Sequence, residues 1–199
     1  MFQNVRRGAI VVAHPDDESL WCGGLMARYP ARWTVICCSV PRTDPIRAYK
    51  FFRACEVLGA KARLLPFPEG TNDLRHLDEI DLGCFDCVVT HNDIGEYGHL
   101  HHVHVHQSVI GRCCGAKSAF VPPYPYARRD VLTIGYGKPA NPESLLINLN
   151  EFEIERKLTA LRCYDHVSPS DGKPKWEALI ERYSQMFDLG VETYDVACA

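Results

Sequence analysis

His14, Asp16, Asp17 and Glu18 crowd into the hexapeptide Ala13-His14-Pro15-Asp16-Asp17-Glu18, directly after the apolar run Gly8-Ala9-Ile10-Val11-Val12. An imidazole with adjacent carboxylates can ligate a divalent metal and can also move a proton to or from a water molecule. Acidic residues ahead of a helix also act as caps. Capping accounts for one carboxylate here, but not for the whole group.

A second concentration follows much later. Five of the nine histidines lie between His99 and His106, after Gly95-Glu96-Tyr97-Gly98. On a helix starting near His99, residues His99, His102 and His106 share one face, His104 points elsewhere and His101 lies on a flank. A solvated or adventitiously metal-binding histidine tract is the plainer alternative. Spacing leaves two ligand sets open. One combines His14, an aspartate of the first loop and one histidine of the second cluster. The other recruits both His102 and His106, as a zincin helix does, but Val103 stands where that motif carries glutamate. The first set is preferred, because three protein ligands plus an open position define a catalytic metal site.

These residues need elements to bring them together. Gly8–Val12 reads as a buried strand, and Glu18–Tyr29 as a helix interrupted by Gly23-Gly24, where glycines permit close packing or approach to a ligand. Trp33–Val40 is a second continuous apolar strand of the kind found in parallel sheets. Asp44 and Pro45 open a helix that runs from Ile46 to Leu58 and is closed by Gly59. Ala62–Leu65 is a short strand before a loop over 66–72, Leu74–Leu82 a weak helix, and Phe85–Thr90 a fourth strand ending on His91-Asn92-Asp93. Beyond the histidine helix come strands at Ser118–Val121, Val131–Tyr136 and Ser144–Leu149. Asn150 caps a helix to about Tyr164, and a last helix covers Lys175–Phe187.

This alternation predicts an α/β, Rossmann-like fold: a mostly parallel sheet of about five or more strands, with helices on both faces. Right-handed crossovers then place the strand C-termini on one edge, where the first loop and the histidine segment converge. The absence of repeats or a composition break assigns one domain over 1–199.

The chain is 46% hydrophobic and 24% charged, with a formal net charge of −3. That balance gives no electrostatic case for nucleic acid or an anionic membrane. No apolar stretch approaches the ~20 residues of a membrane span, and no leader with an apolar core is read at the N-terminus. A cytoplasmic protein is expected. Its ten cysteines are read mainly as buried free thiols; Cys84-Phe85-Asp86-Cys87 lacks the second pair that a zinc ribbon needs.

Ala-His-Pro-Asp-Asp-Glu with Gly23-Gly24, followed by Gly-Glu-Tyr-Gly-His and a histidine three residues on, resembles the LmbE/PIG-L family of zinc-dependent N-deacetylases. Arg47, ahead of Gly59, and the run Lys157 to Tyr164 extend the resemblance. The family implies His14, Asp17 and His102 as zinc ligands, Asp16 as general base, His99 facing the oxyanion or protonating the leaving amine, and Tyr97 beside the carbonyl oxygen. It implies Arg47 as a substrate-binding residue. Trp21 is a candidate to stack on a sugar, and Glu18 to hold the loop or a ligand from behind.

One departure stands out. The family's Gly-His-Pro-Asp-His is here Gly98-His99-Leu100-His101-His102. With His101 in place of the aspartate that partners the catalytic histidine, His99 is expected to titrate lower. The implied activity is removal of an N-acetyl group from a GlcNAc-type small-molecule conjugate, with Zn2+ as cofactor; Fe2+ suits the same donors. The alternatives are a weak or inactive metal-binding protein, and a hydrolase of another amide or an ester. The expected partner is the acetylated amino sugar, with neither nucleic acid nor membrane.

Overall fold

The computed structural model describes residues 2–40, 46–68, 80–114, 130–136, 138, 141–164, 180–181, 184–185 and 188–198. Its frame is a sheet of seven strands: β1 (Gly8–Val12), β2 (Trp33–Val40), β3 (Lys61–Pro68), β4 (Cys87–Thr90), β5 (Asp130–Ile134), β6 (Leu145–Asn148) and β7 (Val191–Cys198). The order is β3-β2-β1-β4-β5-β7-β6. Neighbours from β3 through β5 are parallel, and β7 lies antiparallel to both β5 and β6.

The α-helices that flank it include α1 (Asp17–Arg28), α2 (Arg47–Val57), the short turn α3 (Gly95–Gly98), α4 (Leu100–Cys113) and α5 (Glu151–Arg162). Alternation along the strands decides which helix each side chain meets. Ile10 and Val12 of β1 join a core with Leu20 and Leu25 of α1, Phe51 and Ala54 of α2, and Ala160 and Leu161 of α5. Ala9 and Val11 face the other way, onto Val105 and Val109 of α4. Both faces of the central strands are therefore covered, as their unbroken apolar sequence requires.

The chain leaves β1 toward β2 on one side and later returns to β4 on the other. The strand order reverses there, and the crevice beyond the C-terminal ends of β1 and β4 is where such sheets place ligands. Ser39 locks the end of β1 by donating from its amide and its hydroxyl to the Ala13 carbonyl, at 3.0 and 2.8 Å.

Several elements differ from the sequence reading. β3 continues through Pro66, expected to begin a loop. It is an edge strand, and its pairing with β2 shifts register between Cys37 and Ser39, so the missing N–H breaks no ladder. β7 was not anticipated. Cys114 and Cys198 form a disulfide, contrary to the expectation of free thiols, whereas Cys22, Cys37, Cys38, Cys55, Cys87 and Cys163 are free thiols as expected. The expected strand at 118–121 lies outside the described residues, as do the Asp44–Pro45 cap and most of the expected helices at 74–82 and 175–187. The Gly23-Gly24 pair serves packing: a Cβ on Gly23 would sit 2.9 Å from Cγ of Lys157, and one on Gly24 would overlap Leu149. Among the described residues no helix is long and apolar enough to cross a membrane.

Candidate metal centre

The loop after β1 and the start of α4 bring three donor atoms together. His14 Nδ1 lies 3.4 Å from Asp17 Oδ2 and 3.3 Å from His102 Nε2, and His102 Nε2 lies 3.4 Å from the same Asp17 oxygen. A tetrahedral zinc with bonds of about 2.0–2.1 Å spaces its ligands by about 3.3–3.4 Å. The three atoms thus form one face of such a tetrahedron, and all three residues are buried. The donor set fits a divalent metal.

Each donor is aimed by its surroundings. Asp17 opens α1, and its Oδ2 accepts from the His14 amide at 2.8 Å. Burial alone would raise its carboxyl, but His102, His14 and His91 outweigh burial and hold it well below the usual carboxylate range. His102 Nδ1 lies 2.6 Å from Glu96 Oε2, which can only accept, so the proton sits on Nδ1 and the Nε2 lone pair faces the cluster. Glu96 is buried, accepts from the Asn92 amide at 2.9 Å and has φ 58°, a backbone setting uncommon outside glycine. Burial would raise its carboxyl too; His91 and His102 bring it down to about 2.

Asp17, His91 and His102 form a second converging group. His91 Nδ1 faces Glu96 at 2.9 Å, while its Nε2 receives the Ala13 amide N–H at 2.9 Å. Burial lowers the pKa of this ring and Glu96 and Asp17 raise it, to about 9 on balance. The Ala13 N–H nevertheless needs a lone pair on Nε2, so the geometry holds a neutral ring. That lone pair is taken, and the group is a support for Asp17 and His102 rather than a second metal site. His106, the zincin-type alternative, directs Nδ1 to the His91 carbonyl at 2.8 Å and joins no converging group among the described residues.

Asp16 precedes the candidate ligand Asp17 and has φ 111° and ψ −30°, a positive φ on a non-glycine residue. Three contacts hold it there. Its amide donates to Glu18 Oε2 at 3.0 Å; Arg47 reaches its carboxylate at 2.7 Å; and the same guanidinium donates to the Pro15 carbonyl at 3.1 and 2.8 Å. Burial pushes the Asp16 carboxyl well above its ordinary value, with Asp17 and Glu18 adding to it and Arg47 opposing. Glu18 is fully buried and fastened by Ser19 and by the Tyr164 hydroxyl at 2.7 Å, and burial raises it. Tyr164 thereby ties the end of α5 to the motif.

The remaining expected residues fall as follows. His99 stacks on His102 with ring centroids 4.5 Å apart, and Tyr97 stands edge-on to both rings while half exposed. The His99 pKa is lowered, as expected, but by burial and the neighbouring His102 and His14. His101 does not contact His99 through a hydrogen bond; its Nδ1 lies 3.0 Å from His14 Nε2. Burial and the surrounding imidazoles lower His101 to about 4. Arg47 sits at the loop as a clamp on Pro15 and Asp16. Trp21 is buried, its ring 5.1 Å from Tyr136 and 6.5 Å from Tyr97, on the wall of a cavity of about 290 Å3 shared with Leu20, Ile134 and Thr193. Sequence reasoning gives His91 and Asn92 no role and does not pair Glu96 with His102. Their signal was position: they follow β4 on the same edge as His14.

Residues 9–112 match the GlcNAc-PI de-N-acetylase (PIG-L) family, and the chain belongs to that family. A 1D-myo-inositol 2-acetamido-2-deoxy-alpha-D-glucopyranoside deacetylase of Thermobifida fusca (strain YX) is 25% identical over 194 residues, covering 72% of this chain and 65% of the relative. This chain thus spans slightly under two thirds of that relative's length. The N,N'-diacetylchitobiose deacetylase of Pyrococcus horikoshii shares the fold with a TM-score of 0.71 at 16% identity, over 98% of this chain and 85% of that one. So does the 4-carboxy-2-hydroxymuconate hydratase of Pseudomonas putida KT2440, with a TM-score of 0.62 at 15% identity, over 97% of each chain. A fold shared by a hydratase and a deacetylase does not choose the reaction; the site must do that.

Proposed function

We propose that this protein is a zinc-dependent hydrolase that removes the N-acetyl group from a GlcNAc-type amino sugar joined to a small molecule. The observation that carries the reading is the convergence of His14 Nδ1, Asp17 Oδ2 and His102 Nε2 at 3.3–3.4 Å, in a chain of the PIG-L family. The chemistry that a zinc held there supplies is polarisation of the acetyl carbonyl and acidification of a water molecule.

The protein's own groups divide the rest. Asp17 ligates, while Asp16 accepts the proton of the attacking water, its carboxylate held by Arg47. His99 and Tyr97 supply hydrogen-bond donors to the carbonyl oxygen as it gains negative charge. The C–N bond of the amide breaks, a proton passes to the nitrogen, and acetate and a free amine result. Glu18, Glu96 and Tyr164 hold these groups in place.

Incubation with N-acetylglucosaminyl-inositol and with N,N'-diacetylchitobiose, with and without chelator, should release acetate and a free amine only in the metal-loaded sample. Asp16→Asn should keep about one zinc per chain and lose about 10²–10⁴-fold in turnover, the usual contribution of a positioned acid–base group. No acetate from either compound, or several zinc ions per chain without hydrolysis, would turn the assignment toward a metal-binding protein.

A further inference from the structure

The two ligand imidazoles have unlike partners behind them. His102 Nδ1 meets the Glu96 carboxylate at 2.6 Å, whereas His14 Nε2 meets another imidazole, His101 Nδ1, at 3.0 Å. A carboxylate only accepts. It therefore fixes His102 with a free Nε2 lone pair whether or not a metal is present. An imidazole nitrogen either donates or accepts, so the His14–His101 bond can run in two directions.

In one direction His101 Nδ1–H donates to His14 Nε2, and His14 carries its proton on Nδ1, pointed at Asp17 and His102. In the other, His14 Nε2–H donates to His101 Nδ1, the His14 Nδ1 lone pair is free for a metal, and His101 carries its proton on Nε2. One proton crosses the shared bond from His101 Nδ1 to His14 Nε2, the proton on His14 Nδ1 is released to water, and His101 takes one from water at Nε2, so neither ring changes its net charge. His101 Nε2 is buried and makes no hydrogen bond. The switch therefore breaks no bond at Nε2, and the buried N–H it leaves there is a cost that metal binding has to exceed.

We propose that His101 is a positioning residue for the metal centre, and that metal capture reverses the His14–His101 hydrogen bond by shifting both rings to the other tautomer. The inference rests on His14 being a ligand, as in the proposed function, and adds what His101 does behind it. His102 is preorganised by Glu96, whereas His14 becomes a ligand only as His101 changes from donor to acceptor. The family resemblance implies that the residue at this position partners His99; the geometry sets His101 against His14 instead.

The test uses the full chain and zinc alone. In metal-free, 15N-labelled wild type, the imidazole resonances should show His101 protonated at Nδ1. On addition of one equivalent of zinc, His101 Nδ1 should become the unprotonated nitrogen and Nε2 the protonated one. His102 Nδ1 should stay protonated throughout. Alongside, competition with a chromophoric chelator should show His101→Phe binding zinc about ten- to a hundredfold more weakly, the usual effect of losing a ligand's hydrogen-bond partner. His101→Asp, which restores an acceptor, should bind at least as tightly as wild type. The proposal is overturned if zinc binds and the His101 nitrogens keep their metal-free pattern, or if a folded His101→Phe binds within twofold of wild type. If His101→Phe does not fold, the wild-type spectra alone decide. Wild type that binds no zinc would instead remove the parent assignment of the metal centre.

Discussion

Oε2 of Glu96 lies 2.6 Å from Nδ1 of His102, and the same oxygen meets His91 Nδ1 at 2.9 Å. One carboxylate thus sets the tautomer of a candidate ligand and of the ring that steadies Asp17. Glu96→Gln can accept both imidazole N–H groups only with its amide oxygen at the Oε2 position, which turns its NH2 onto the Asn92 N–H that Oε1 now accepts at 2.9 Å. Either the Asn92 N–H is then left without an acceptor or, with the amide flipped, both imidazole N–H groups are, at a cost of about 1–3 kcal/mol for each such group. Zinc affinity should fall about ten- to a hundredfold, read by chelator competition together with a lower melting temperature. Unchanged affinity would show that His102 is aimed by something other than Glu96.

The Lys157–Glu192 pair is nearly inaccessible, each side chain 2% exposed, with Nζ and Oε1 2.8 Å apart. Glu192 also accepts from the Gly24 and Leu25 amides at 2.7 and 2.8 Å, so the pair pins α1, α5 and β7 together. Lys157→Met keeps most of the volume and strands the carboxylate. Breaking a buried pair from one side should cost about 3–5 kcal/mol. Denaturant unfolding measures this directly, and a loss below 1 kcal/mol would mean that the three remaining donors, Tyr194 included, satisfy Glu192 without the lysine.

Glu153 accepts from Arg28 at 2.8 and 2.6 Å and completes the capping box of α5 with Asn150. The hydrogen bond to Arg28 and the Asn150 amide hold its carboxyl below the usual range despite burial. A folded-state pKa below the unfolded value of about 4.3 stabilises the protein above that unfolded value, and the gain disappears as pH falls through the folded one. The melting-temperature difference between wild type and Glu153→Gln should therefore be constant from about pH 5 upward and shrink below about pH 4. A difference that grows on acidification would reverse the sign and refute the role.

The parts legible in the sequence were those where one physical signal dominated. Continuous apolar runs marked β1 and β2, because strands covered on both faces carry no polar alternation. Asn150 announced α5 through its cap. β7 stayed hidden because its inward positions include Glu192, and only the structure shows Lys157 beneath it. Pro66 disguised the length of β3, since nothing local says that a strand will lie at an edge. At the site, adjacency of His14 and Asp17 was legible, and so was their meeting with the histidine segment at one sheet edge. The partner of His101 was not. Helical spacing tells which residues share a face, but not that β1 delivers His14 against that face.

Asp16 combines a positive φ of 111° with a part-buried carboxyl raised well above its ordinary value, next to the candidate ligand Asp17. Strain of this kind persists only where surrounding contacts impose it, here Glu18 on the amide and Arg47 on the carboxylate. Asp16→Ala and Asp16→Gly remove the carboxylate equally and should both abolish turnover while leaving zinc bound. They differ in backbone freedom alone. At an ordinary position alanine is the more stable choice, by about 0.5–1 kcal/mol. At φ 111° the order should invert, with Asp16→Gly more stable than Asp16→Ala by about 1 kcal/mol or more. Urea unfolding of the two variants, each checked for one bound zinc, gives that difference with the lost Arg47 contact cancelled. An alanine variant as stable as the glycine one would mean that the loop relaxes once the carboxylate is gone, and that Arg47 and the Asp16 carboxylate, rather than Glu18, impose the conformation.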